Sequence, residues 1–215
     1  MQLLASGRES DVYDIGSGRV LRRSRHIVDT SFEAEVMIRL ARNGFPVPTV
    51  YEAAGSDLIM QRVEGPSLLT ALCLGDVTAA EAAATMVDLH RRLHEIPCGT
   101  TENRVLHLDL HPDNVLLGPD GPVLIDWSNT TEGSPALDTA VSALILAQVA
   151  VGGTELADLA ADLLRAFAPA VDAVSELPAA LRMRRANPTM SAQELAELDH
   201  AVELVVATAT PSPTP

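Results

Sequence analysis

Val105-Leu106-His107-Leu108-Asp109-Leu110-His111-Pro112-Asp113-Asn114-Val115-Leu116-Leu117 decides the fold, together with Val123-Leu124-Ile125-Asp126-Trp127 after a turn at Gly118–Pro122. Short apolar runs bounded by turn residues read as buried strands. The two runs bracket a polar octet, His107 to Asn114, and the second ends in Asp126. The pattern delivers His107, Asp109, Asn114 and Asp126 into one small region. Helices flank it. Thr78-Ala79-Ala80-Glu81 is a capping box that opens a helix to about His94. Ser134-Pro135 supplies an N-cap and an N1 proline for the next long helix.

Towards the N-terminus the period changes. The first 25 residues read as strands, and Val12–Ile15 and Arg19–Arg22 flank Gly16-Ser17-Gly18, which suits a hairpin. A helix follows from about Phe32 to Arg42, stopped by Asn43-Gly44. Phe45-Pro46-Val47-Pro48 reads as extended, and Val50–Ala54 and Asp57–Val63 are the next strands. After Pro66 the pattern is mainly helical, with helices at Glu155–Phe167 and Val171–Arg185. Ser191-Ala192-Gln193-Glu194 is a second capping box, for a helix to about Ala207. The expected organisation is α+β: residues 1–65 a small antiparallel-sheet lobe with one helix, residues 66–207 a larger mainly helical lobe, and residues 208–215 a disordered Pro/Thr/Ser tail.

Composition narrows the chemistry. The 215 residues carry a formal charge of −14, and all 15 basic side chains are arginine. Schiff-base chemistry, a Walker A lysine and a lysine general base are therefore excluded. Phosphate can be gripped only by arginine, backbone amides or a metal. The acidic balance argues against a nucleic-acid partner. The longest apolar run, Val141–Val151, falls short of the about 20 residues that span a bilayer, so no membrane role is expected. Cys73 and Cys98 show no motif spacing, and no secretory leader is visible, so a cytoplasmic protein is expected. Charge is uneven: residues 1–65 carry 8 Arg and 9 acidic residues, residues 66–215 carry 7 Arg and 20.

His107-x-Asp109-x-x-x-x-Asn114 followed by Asp126 has a physical logic. Transfer of a γ-phosphoryl group needs positioning and charge stabilisation. One carboxylate orients the acceptor hydroxyl and takes its proton, and Asp109 fits that role. A second carboxylate and an amide oxygen, both hard ligands, hold Mg²⁺ on the phosphates, and Asn114 and Asp126 fit that one.

The octet and the Ile125-Asp126-Trp127 segment resemble the catalytic loop and metal segment of the aminoglycoside phosphotransferase family, protein-kinase-like enzymes related to choline kinases. The resemblance runs from about Leu4 to Val151. It implies ATP or GTP with Mg²⁺, and a small-molecule acceptor. It places a phosphate-covering loop at Ser6–Ser10, where Gly7 and Ser10 are its candidates although no GxGxxG is present. It requires a cation on the third strand, and Arg22 stands where lysine is usual; an ordinary exposed arginine is the alternative. Its partner on the helix would be Glu33, which shares a face with Val36, Met37 and Leu40, rather than Glu35. Glu33 also completes a capping box with Thr30. Adenine would meet backbone groups near Gln61 and Val63. His107 resembles a structural histidine, and Asp138 an aspartate that braces the loop. His90 and His94 stand at i, i+4 like half a zinc site, but no third ligand lies at zincin spacing.

The leading expectation is a small-molecule kinase. A catalytically inactive kinase-like nucleotide-binding or regulatory protein is the alternative, motivated by the absent lysine. A protein kinase ranks last, because only 11 residues separate Asp126 from Asp138. The acidic helical lobe suits a cationic acceptor such as an aminosugar or amino alcohol, although the same charge serves solubility.

Overall fold

The computed structural model describes residues 1–98 and 100–210. Five antiparallel strands form the N-terminal part: β1 (Gln2–Ser6), β2 (Ser10–Gly16), β3 (Arg19–Ser24), β4 (Val50–Ala54) and β5 (Asp57–Gln61), in the order β1-β2-β3-β5-β4. The β2–β3 connection holds Gly16, Ser17 and Gly18 at φ +82°, +56° and +67°. Two glycines make that left-handed turn accessible. Helix α1 (Ser31–Arg42) lies between β3 and β4 in sequence and buries Ala34, Val36, Met37 and Leu40, in one core with Val20, Leu58 and Met60. Gly44, at φ +74°, ends it.

The capping box expected at Thr30 does not form. The Thr30 hydroxyl donates instead to the carbonyls of Gly55 and Asp57. Glu33 is thereby left free to turn inward. The strand expected to reach Val63 stops at Gln61, where the Arg62 N–H donates to Gly18 O and its side chain pairs with Asp14.

Gly65 and Pro66 carry the chain into the helical part. Gly65 has φ +134°, and a Cβ there would stand 2.0 Å from Leu117 O. Only glycine fits. Next come α2 (Leu68–Leu74), α3 (Ala79–His94), β6 (Pro97–Cys98) and β7 (Thr100–Leu106). A 3₁₀ turn (Pro112–Asn114) leads to the hairpin β8 (Val115–Gly118) and β9 (Gly121–Leu124). Strand β10 (Thr131–Gly133), for which the sequence carries no signal, pairs with β7. Helices α4 (Pro135–Val151), α5 (Ala157–Phe167), α6 (Leu177–Ala186) and α7 (Ala192–Ala209) complete the chain. Both expected capping boxes, Thr78/Glu81 and Ser191/Glu194, are formed.

Further boundaries differ from expectation, among them the start of α5, at Ala157 rather than Glu155. Residues 171–176 are not helical: Asp172 accepts from Val174 N and Ser175 N in a turn, and Pro178 then opens α6. At the other end Thr208 continues α7, its hydroxyl donating to Leu204 O, so the tail does not begin at residue 208. Residues 211–215 of that expected tail lie outside the described residues. Helix α4 is the hub of the helical core: Ala140, Val141, Ala143, Leu144 and Ala147 are all buried. No helix among the described residues is long and apolar enough to cross a membrane.

Candidate active site

The octet sits where β7 ends, and it is held from beneath. Asp138, in the first turn of α4, is fully buried and aims its carboxylate at the loop backbone. It accepts from Leu108 N at 2.7 Å and from His107 N at 3.1 Å. His94 Nε2 lies 2.9 Å from the same carboxylate and His90 Nδ1 3.5 Å. Burial alone would raise the Asp138 pKa, but the His90 and His94 rings outweigh it and hold the carboxyl well below its ordinary range. The three groups form the kind of cluster that holds a metal. Here Asp138 serves backbone N–H groups, and His90 Nε2 pairs with Ser142 Oγ at 3.0 Å. Asp138 joins the histidines only through the fold, which spacing rules do not reveal.

His107 is also fully buried. Its Nδ1 accepts from Asp109 N at 3.2 Å and its Nε2 faces Ile125 O at 3.0 Å, which fixes the neutral Nε2–H tautomer. Burial pushes its pKa down to about 4, against the pull of Asp138. Trp127 stacks edge-on against it at 4.6 Å and donates Nε1–H to Leu124 O. His107 thus ties the octet to the segment bearing Asp126. Leu108 and Asp126 flank this tie at φ +60° and +61°, left-handed conformations that non-glycine residues rarely adopt.

Asp109 projects from the loop with Asn114 beside it. Asn114 Nδ2 donates to Asp109 O at 2.9 Å and lies 3.3 Å from Oδ2. Burial raises the Asp109 pKa, His111 and Arg184 oppose the rise, and Asp126 adds to it. Asn114 also accepts Ile125 N–H at its backbone carbonyl, 2.9 Å away, so Asp109, Asn114 and Asp126 form one connected unit.

From the sheet, Arg22 reaches the same place. Its side chain is 8% exposed and its Nη2 pairs with Glu33, while Nη1 stands 3.4 Å from Asp126 Oδ1. Burial raises the Glu33 pKa, and the Arg22 charge opposes that. Glu35, the competitor, is exposed.

The remaining positions expected from the sequence are not in this unit. Gly7 N donates to Ser10 O at 2.8 Å in the β1–β2 turn, and a Cβ on Gly7 would make only an ordinary 3.5 Å contact. Gln61 turns its side chain back to Thr49. Val63 packs over the β8–β9 turn near Gly118. Its N–H has no hydrogen bond among the described residues.

Two arginines that sequence reasoning passed over also face this region. Arg8, at the tip of the β1–β2 turn, bridges to Glu194 at 2.9 Å and to Thr189 O at 3.1 Å. Arg184 on α6 is coupled electrostatically to Asp109. In Arg182-Met183-Arg184-Arg185 it reads as one of a solvated run, so no local signal marks it.

A family model, the RIO domain, matches residues 10–139, from β2 to the residue after Asp138. The chain belongs to the RIO domain family. No curated protein matches it in sequence. Among solved structures, this RIO domain chain is similar to a thermostable mutant of aminoglycoside phosphotransferase APH(4)-Ia in ternary complex with ADP and hygromycin B. The TM-score is 0.57 and the identity 14%, over 98% of this chain and 94% of that one. The gentamicin complex of APH(2")-IIa gives 0.58 and 12%, over 97% and 90%. A choline/ethanolamine kinase family protein from Mesorhizobium loti gives 0.53 and 14%, over 97% and 92%. These likenesses carry the kinase-like fold. Of the expected resemblance, the kinase-like superfamily is supported; the family model that matches is the RIO domain, and the aminoglycoside phosphotransferases are neighbours in fold.

Proposed function

We propose that this RIO domain chain is a phosphotransferase that moves the γ-phosphate of ATP or GTP to a hydroxyl of a small molecule. The observation that carries the reading is the convergence of Asp109, Asn114 and Asp126 with the Arg22–Glu33 pair. Residues 1–65 are the nucleotide lobe and residues 66–207 the catalytic and acceptor lobe.

Asp109 is the general base: its carboxylate accepts the acceptor hydroxyl's proton as the phosphoryl group leaves the nucleotide. His107 and Asp138 hold its backbone, and Asn114 holds its side chain. A divalent ion fits the donor set. Asn114 gives its Nδ2 to Asp109, which leaves Oδ1 without a hydrogen bond among the described residues, and Asp126 offers a second hard oxygen. Mg²⁺ bound there would neutralise phosphate charge. Arg22 is oriented by Glu33, and its long contact to Asp126 is the one that phosphate oxygens replace. Arginine suits the task because its fork binds phosphate and stays charged. The open Val63 N–H offers a donor to a base, and Gly7 and Ser10 lie in the turn over the phosphates.

The family match also favours an atypical protein kinase. Against it, only 11 residues separate Asp126 from Asp138, and Thr131–Gly133 among them pair with β7, which leaves little chain to dock a peptide. The inactive alternative is disfavoured because Asp109, Asn114 and Asp126 are all present.

The test measures nucleotide binding and turnover. Wild type should bind ATP or GTP with Mg²⁺, and Asp109→Asn should lower transfer by about 100-fold or more while sparing that binding. A chain that binds no nucleotide with Mg²⁺ sinks the reading.

A further inference from the structure

The net charge of the helical part favours cations at long range. The surroundings of Asp109 do not follow it. Arg184, on α6, stands near enough to Asp109 for the two charges to act on each other, and its Nε donates to Gln148 Oε1 at 2.8 Å. Gln148 sits on α4 and is 7% exposed. Because its oxygen is taken by Arg184, its Nε2 is the free end of the amide, and that nitrogen is buried with no hydrogen-bond partner. A buried amide N–H₂ without an acceptor is costly, and native structures rarely leave one unless something else supplies the acceptor.

The guanidinium also has donors to spare, although these are open to solvent rather than buried. Arg184 Nη1 and Nη2 make no hydrogen bond or ion pair among the described residues. Neither nearby carboxylate bonds to it: Glu194 is paired with Arg8, and Asp109 takes its hydrogen bond from the neutral Asn114 amide. Burial penalises the Arg184 charge, and the Asp109 and Glu194 carboxylates partly offset this. The region thus holds unused N–H donors from Arg184 and Gln148, beside a carboxylate assigned to a hydroxyl.

We propose that Arg184 and Gln148 form an anion subsite, so that the acceptor is a hydroxylated carboxylate or phosphate rather than an aminosugar. Arg184 grips the anionic group through its two terminal nitrogens, and Gln148 Nε2 supplies a further donor. The acceptor's hydroxyl then lies at Asp109. The inference rests on the phosphotransferase reading for the hydroxyl end, whereas the anion end stands on α4 and α6 alone. Both residues lie beyond the matched RIO domain.

The experiment is ligand-observed NMR titration of the whole chain, with and without Mg·ADP. The probes are D-glycerate, glycerol 3-phosphate, ethanolamine and kanamycin. Wild type should bind glycerate or glycerol 3-phosphate saturably, and the preference between them separates a carboxylate acceptor from a phosphate one. Arg184→Gln should weaken that binding by about tenfold or more, as expected for charge-assisted hydrogen bonds, with Mg·ADP affinity unchanged. Arg184→Lys, which keeps the charge, should fall between; it also covers the case in which Arg184→Gln fails to fold. Ethanolamine and kanamycin should not bind. The subsite is overturned if neither anion binds, if both variants bind them as wild type does, or if the amines bind in their place. Anion binding that depends on Arg184 in a chain that binds no nucleotide would uphold the subsite and remove the phosphotransferase reading.

Discussion

Arg22 and His107 show what single residues contribute. Arg22 and Glu33 are both buried, so removing one partner leaves the other charge uncompensated. Arg22→Met is expected to lower unfolding free energy by about 3–5 kcal/mol and to weaken nucleotide binding, and adding Glu33→Leu should recover much of the stability but none of the binding. Arg25→Ala, at an exposed pair with Asp11, should change neither measurably in urea titrations. If Arg22 and Arg25 behave alike, the third-strand assignment is wrong. His107 sets a pH dependence. Its folded pKa, about 4, lies below the ordinary 6.5, so between the two the unfolded chain binds a proton that the folded chain does not. The His107 contribution is therefore full above about pH 6.5, falls by roughly 3 kcal/mol as pH drops towards 4, and levels off below, where buried carboxylates such as Asp138 take over the loss. The chain's single tryptophan, Trp127, lies on the His107 ring and reports the unfolding. His107→Gln should flatten the curve in that window; an unchanged slope would assign it to other groups.

At the scale of elements, the junction between the sheet and the β8–β9 hairpin rests on one residue without a side chain. Gly65→Ala places a methyl against Leu117 O and forces an alanine to φ +134°. It should destabilise the protein by about 2 kcal/mol or more, with a lower Tm in differential scanning calorimetry. The elements near the octet were readable because their signals are local: two capping boxes, Asn43-Gly44, a glycine turn, and apolar runs bounded by turn residues. Strand β10 was not readable, since Thr131-Glu132-Gly133 pairs with β7 only because the fold brings them together. Helix α6 starts later than the apolar pattern suggests, because Asp172 and Ser175 form a turn ahead of it. Thr30 illustrates the opposite error, a correct local motif overruled by a better tertiary partner for each of its two side chains.

At the scale of the molecule, Arg8 and Glu194 join the first hairpin to the last helix across 186 positions of sequence. Arg8 is largely exposed, so the pair is worth little to stability. A double-mutant cycle with Arg8→Gln and Glu194→Gln, which preserves the capping box, should give a coupling of about 0.2–1 kcal/mol that shrinks with added salt. A coupling that ignores salt would mean that the contact is not electrostatic. Such long-range pairings, His94–Asp138 among them, are the part of the candidate site that no reading of the chain could supply: nothing local says which charge meets which. With no lysine anywhere and Arg22 buried at the sheet's inner face, reagents that trap an amine beside a bound nucleotide have no target there. Lysine-directed acyl-phosphate probes would leave the proposed nucleotide site unlabelled, and a buried Arg22 would not replace the missing amine as their target.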